Sequence, residues 1–295
     1  MSSSAIWMFG LALAYTLLLI VMSQIAKKKA QAGEDFFVGG RKFSRWTVAF
    51  CITGLFSGST YIAILELSYL TGISSLWYGV AELTHVLIIA LVLIGPFRKR
   101  MMVTISGLIG DKYGRAAKGI AGGITAITFP MWSVATALAF ASCINAITGM
   151  DMLLSVVLTA ALMYVFLSAG GMWSVAVTDF IQMIILVLGL VTLSWFAADM
   201  AGGAGKVVDL ITSRDMLRFW PEPTWHEMLF FFGAAITMML GSIPQQDVFQ
   251  RVMSANTEKA ATHGTVIGGS AYILFAFVPM FLVASALLIM PEQAA

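Results

Sequence analysis

The residues best suited to chemistry in this 295-residue chain lie inside its apolar stretches. Thr53-Gly54-Leu55-Phe56-Ser57-Gly58-Ser59-Thr60 puts two glycines and four hydroxyl side chains in the middle of one such run. A continuous helix is a poor solution there, because each glycine costs about 1 kcal/mol relative to alanine. Unwound backbone at membrane depth is tolerated only where it lines a cavity or packs in protein. A break would free peptide carbonyls, hard oxygen donors that can coordinate a cation. The competing reading is that glycine and serine simply let helices pack closely.

Asp179 is the second candidate. It lies about two helical turns into the run 172–198, beside Thr178 and one turn from Gln182, so the three are placed to form a polar stripe. A carboxylate at that depth reads by default as a cation or proton position; the alternative is a carboxylate capped by neighbouring hydroxyls. Glu66, and the pair Glu82 and His85 three residues apart on one helical face, sit nearer the end of their runs. For them snorkelling or an ordinary hydrogen-bonded pair stands beside a role in substrate binding. Thr237 and Met238 join Glu82 and His85 as side chains that can face a cavity, compatible with an amino acid, a sugar or a carboxylate. Motifs of hydrolytic or metal chemistry are missing: there is no His-Glu-x-x-His, Cys-x-x-Cys or Gly-x-Ser-x-Gly. Cys51 and Cys143 read as small core residues.

These groups need elements that hold them in lipid. Hydrophobic residues make up 59% of the chain, charged ones only 11%, and the mean hydropathy is +0.90. That is the composition of a membrane protein, and a net charge of +2 gives no reason to invoke nucleic acid. Partners are therefore lipid and small solutes. Runs long enough to cross roughly 30 Å of hydrocarbon fall near 5–26, 46–71, 74–96, 119–147, 151–169, 172–198, 228–250 and 265–290, predicting an all-α protein of about eight transmembrane helices. Loops 27–45 and 97–118 hold six Lys or Arg each, and 251–264 holds Arg251 and Lys259; the other side has only Lys206, Arg214 and Arg218. The positive-inside rule then places the N-terminus and the loop 199–227 outside.

The run 228–250 carries Gly233, Gly241 and Pro244, so it too invites interruption. It crosses in the opposite sense to 46–71. Two interrupted helices five spans apart, with opposite polarity, are what an inverted repeat of five helices predicts, with substrate between the two breaks.

With these features in view, the chain resembles the sodium:solute symporter family, which includes bacterial sodium/proline and sodium/galactose carriers. The segment Ser57-Gly58-Ser59-Thr60-Tyr61-Ile62 is similar to the family's first core helix, and Gly170 to Gln182, reading GGMWSVAVTDFIQ, to its fifth. Pro244-Gln245-Gln246-Asp247-Val248-Phe249-Gln250-Arg251, followed by Ser254-Ala255, is the most specific match.

The resemblance implies one transmembrane domain: an extra first helix at 5–26, a first five-helix repeat at 46–198, and the first two helices of a second, incomplete repeat at 228–290. It implies sodium-coupled symport of a small organic solute across the plasma membrane, with sodium as coupling ion and no other cofactor. The alternative is a membrane solute-sensing input domain of a signalling protein. Carried over by residue, the carbonyls of Thr53 and Phe56 match sodium-coordinating positions, Ser57 and Gly58 match solute or ion contacts, and Asp179 matches the acid beside the inner sodium path. Leu55 stands where proline-type carriers have aspartate, which points away from proline. On the same comparison residues 1–295 are expected not to transport alone, as a fragment, a truncated product or half of a split carrier.

Overall fold

The computed structural model describes residues 3–27, 33–56, 58–214 and 216–291. The chain runs through α1 (Ser3–Lys27), α2 (Glu34–Val38), α3 (Arg45–Thr53), α4 (Gly58–Thr71), α5 (Leu76–Ile88), α6 (Ile94–Arg100) and α7 (Ile105–Tyr113). It continues through α8 (Arg115–Thr148), α9 (Met152–Met200), α10 (Ala204–Ser213), α11 (Trp225–Gly241), α12 (Gln246–Met253) and α13 (Glu258–Ile289). A π-helical turn, Ile89–Leu93, joins α5 to α6. Extended pairing among the described residues is a single parallel bridge, Phe43 to Ala255.

Six helical stretches among the described residues are long and apolar enough to cross a membrane: Ile6–Lys27, Thr60–Arg100, Arg115–Thr148, Gly170–Met200, Trp225–Met253 and Glu258–Ile289. They differ from the eight expected runs for local reasons. The run 46–71 is two helices, α3 and α4, and the second half continues through the tight turn Gly72–Ser75 into α5. The run 151–169 contributes the shorter apolar helix Met152–Val165. It is separated from 172–198 inside α9, where Gly170 (φ −139°, ψ 15°) and Gly171 (φ 53°, ψ −139°) leave helical geometry. Only glycine suits that second conformation, and a Cβ on Gly171 would run into the Phe36 carbonyl.

α13 packs chiefly against α3, α5, α4 and α9. Its glycines bring it into backbone contact with α3: a Cβ on Gly264 would lie 2.6 Å from the Arg45 carbonyl oxygen, and one on Gly268 2.6 Å from that of Ala49. This spacing of small residues is what close packing in lipid requires, since hydrocarbon gives helices no hydrophobic drive to associate. Around this centre α1, α8 and much of α9 turn large apolar side chains outward, Trp7 (73% exposed) and Ile127 (72%) among them. That is the surface a lipid solvent selects.

The loops sort into two ends. Arg41 donates to the carbonyls of Met101 (2.7 Å) and Met253 (3.2 Å), and Arg98 to that of Ala255 (2.9 Å). Gln246 accepts from the Ile105 amide and donates to the Val103 carbonyl. Phe43 N–H donates to the Ser254 carbonyl, while Asn256 N–H donates to that of Phe43. The three lysine- and arginine-rich segments are thus bound together. At the other end, Ser74 Oγ and Trp77 Nε1 both donate to the Phe219 carbonyl, and Ile73 N–H to that of Met216.

Candidate functional site

Both suspect helices are broken, and both break in the same manner. At the end of α3, Gly54 N–H still bonds back four residues to Phe50, but Leu55 and Phe56 bond back three, to Ile52 (3.1 Å) and Thr53 (3.0 Å). The helix tightens and stops, and α4 restarts at Gly58. At the end of α11, Ile243 N–H bonds to Leu240 and Gln245 N–H to Ser242, again three back, across Pro244, which has no N–H to give. The chain resumes as α12 at Gln246.

The two breaks face one cavity of about 440 Å³. Gly54, Leu55 and Phe56 line it from the first break; Gly241, Pro244 and Gln245 line it from the second. Glu82 and His85 of α5, Asp247 and Arg251 of α12, and Tyr272 of α13 complete the polar wall, with α8 across from them. A second cavity of about 790 Å³ lies toward the Gly72–Ser75 end, lined by Trp77, Arg218, Trp220 and Phe231; Tyr78 lines both.

The backbone at the first break is held from several directions. Thr53 is buried, and its hydroxyl lies 2.8 Å from the Ala49 carbonyl and 3.2 Å from that of Gly268. Tyr272 donates its hydroxyl to the Ile52 carbonyl at 2.5 Å and stacks its ring on Phe56, centroids 5.6 Å apart. Gly54 lies against Asp179, where a Cβ would come within 2.8 Å of the carboxyl carbon. Asp179 in turn sits 3.5 Å from Arg251 Nη2. Arg251 donates Nε to the Cys51 carbonyl (2.7 Å) and Nη1 to that of Asp247 (3.3 Å). One guanidinium therefore ties α3, α9 and α12 together beside the break.

The residues singled out from sequence divide clearly. Thr53, Phe56, Glu82 and Asp179 all come to this region. Glu82 Oε2 is 3.2 Å from His85 Nδ1, and His85 is 2% exposed. Gly58 opens α4 in an exposed position and does not line the cavity. Thr237 is exposed, bonds to its own Gly233 carbonyl and lines neither cavity; Glu66 of α4 is also exposed and lines neither. Ser57 lies outside the described residues. Beside Asp179, Thr178 is buried and donates its hydroxyl to its own backbone, at the Ser174 and Val175 carbonyls. Tyr78, Asp247, Arg251 and Tyr272 were not anticipated as site residues; Asp247 carried a signal as a charge inside the run 228–250, and both it and Arg251 belong to the segment Pro244–Arg251 that matched the family most specifically. Among the described residues no cluster of His, Cys, Asp or Glu is arranged to hold a metal ion.

A profile of the sodium:solute symporter family matches residues 36–294. The chain belongs to that family. It is 25% identical over 91% of its length to the high-affinity choline transporter 1 of Drosophila melanogaster, covering 44% of that protein. To the human high affinity choline transporter 1 it is 27% identical over 86% of its length, covering 45%; to the human sodium/iodide cotransporter, 23% over 86%, covering 41%. The chain thus spans less than half the length of these relatives. A solved structure of a Na+-coupled sialic acid symporter, substrate-bound and outward-open, superposes with a TM-score of 0.81 at 17% identity, over 97% of this chain and 61% of that one. At that identity the likeness is one of fold, and together with the six apolar helical stretches it is the fold of a multi-pass membrane protein.

Proposed function

We propose that this family member takes part in sodium-coupled symport of a small organic solute, with the cavity between the two helix breaks as the shared site. The observation that carries the reading is the convergence of two helix ends of opposite polarity on one polar-walled space. Half-helix ends expose carbonyl oxygens on one side and amides on the other, which suits a cation and a polar solute held side by side. The carbonyls of Thr53 and Phe56 are assigned to sodium, and Glu82 to the solute. Asp179, engaged with Arg251 beside Gly54, sets the charge along the ion's path toward the basic end. The excess of Lys and Arg at that end supports a plasma-membrane orientation with the N-terminus external. The matched length also supports a single domain, with 5–26 as an added helix, 46–198 as one repeat and 228–290 as the start of its inverted counterpart.

The test is uptake by vesicles reconstituted with the protein expressed from its gene. A solute panel of amines, monocarboxylates, sugars and halides is offered with an inward sodium or potassium gradient. Sodium-dependent, gradient-driven accumulation of any of them supports the reading. Accumulation that persists in potassium or collapses to equal inside and outside concentrations refutes coupling to sodium.

A further inference from the structure

We propose that the solute accepted by the cavity between the breaks is a small organic cation; this rests on the transport reading above and narrows it. Among the described residues, the charged groups on this cavity and its supporting wall are three carboxylates, Asp179, Glu82 and Asp247, and one guanidinium, Arg251. Arg251 is already committed, through Nε to the Cys51 carbonyl, Nη1 to the Asp247 carbonyl and Nη2 toward Asp179. It has no free fork with which to clamp a carboxylate or halide. Asp247 is held as an acceptor, taking the Val248 amide at 2.8 Å at the start of α12. Even with His85 carrying a proton, positive charge does not exceed negative. A bound sodium ion with His85 neutral leaves a net negative site, one charge short of balance.

Five aromatic side chains also line the cavity, Phe56, Tyr78, Phe129, Trp132 and Tyr272, among hydroxyl and aliphatic residues. Trp132, on α8, lines the cavity and is about half exposed, 51%. Aromatic rings and carboxylates lining one cavity are the combination that recognises ammonium groups, because the quadrupole of a ring face adds to the attraction of the charges. His85 supplies a third requirement. It is almost fully buried, and its Nε2 has no hydrogen-bond partner. A buried polar atom facing a cavity calls for a polar group on the occupant, so a hydroxyl or amine on the cation fits best.

The probes are choline, tetramethylammonium, the uncharged isostere of choline in which a tert-butyl group replaces the trimethylammonium, and lactate. Binding to the purified protein is followed by tryptophan fluorescence and by the unfolding temperature, in sodium and in potassium. The expected result is that choline binds in sodium at least about tenfold tighter than its isostere, a difference of about 1.4 kcal/mol. Glu82→Gln should reduce that preference to about threefold or less. Asp247→Asn changes it in the same direction and serves if the first variant does not fold. Equal binding of choline and isostere, or sodium-dependent binding of lactate without either cation, overturns the cation assignment while leaving coupled transport in place. If no probe and no solute of the wider panel binds in a sodium-dependent way, the transport reading falls and this one with it.

Discussion

Replacing Arg251 by methionine tests the load on the first break most directly. The Arg251 and Asp179 side chains are 12% and 9% exposed, so the pair is screened little by solvent. Without the guanidinium, Asp179 keeps a buried charge with no cation beside it, and the Cys51 carbonyl loses its donor. Breaking a buried pair from one side costs about 3–5 kcal/mol, mostly from the stranded charge. Asp179→Asn is milder, since Arg251 retains the Cys51 and Asp247 carbonyls; about 1–3 kcal/mol covers it. The double variant Asp179→Asn/Arg251→Met removes both charges, so its loss should fall short of the sum of the singles by about 1–3 kcal/mol. The assay is thermal unfolding of the protein in detergent, where Arg251→Met should lower the midpoint by on the order of 6 °C or more. A single variant melting within about 1 °C of the parent, or strict additivity in the double, would refute the argument that this pair braces the interrupted helix.

Three further outcomes follow from packing. Gly268→Leu should abolish folded protein, because its Cβ alone would sit 2.6 Å from the Ala49 carbonyl oxygen; even Gly268→Ala should cost about 1–3 kcal/mol by unfolding, whereas Gly189→Ala, with open space around it, should be neutral or mildly stabilising. Gly171→Ala should lose about 1–3 kcal/mol to backbone strain at φ 53°, ψ −139°, read as a lower melting temperature; a melt equal to the parent's would show that the kink relaxes. Tyr272→Phe keeps the ring on Phe56 and removes one donor from the Ile52 carbonyl, which retains the Leu55 amide, so it should destabilise by only about 0.5–1.5 kcal/mol in the same assay.

Much of the architecture could be read before any coordinates, for reasons that have to do with the solvent. Lipid forces helices of a minimum length, so apolar runs declare the crossings, and Gly170-Gly171 declares a boundary because only glycine accepts that backbone. The break after Thr53 was legible from glycine and hydroxyl content, and the one after Gly241 from Pro244. Charge sorted the loops correctly into two ends, although it gave no hint that Arg41 and Arg98 also fasten them by bonding to carbonyls. Facing was the hard part. A helix apolar on every side has no polar stripe to show which way it turns, so Thr237 could not be told from a cavity residue, nor Tyr272 from ordinary packing. Asp179 was visible as an expensive charge, but its partner lies on α12, far along the chain, and nothing in the local pattern around Thr178 and Gln182 pointed there.

The bridge between Phe43 and Ala255 sets an order of assembly. Two segments far apart in the sequence must be zipped together before the basic face is closed. During synthesis the first of them emerges early and has to wait, unpaired, until the ribosome has made Asn256. Early helices can enter the bilayer one at a time, but this seam is a late event whose timing is set by contacts distant in sequence. A pause in translation upstream of α12 therefore prolongs the interval in which Phe43 is open to chaperones, to proteases and to pairing with the wrong edge.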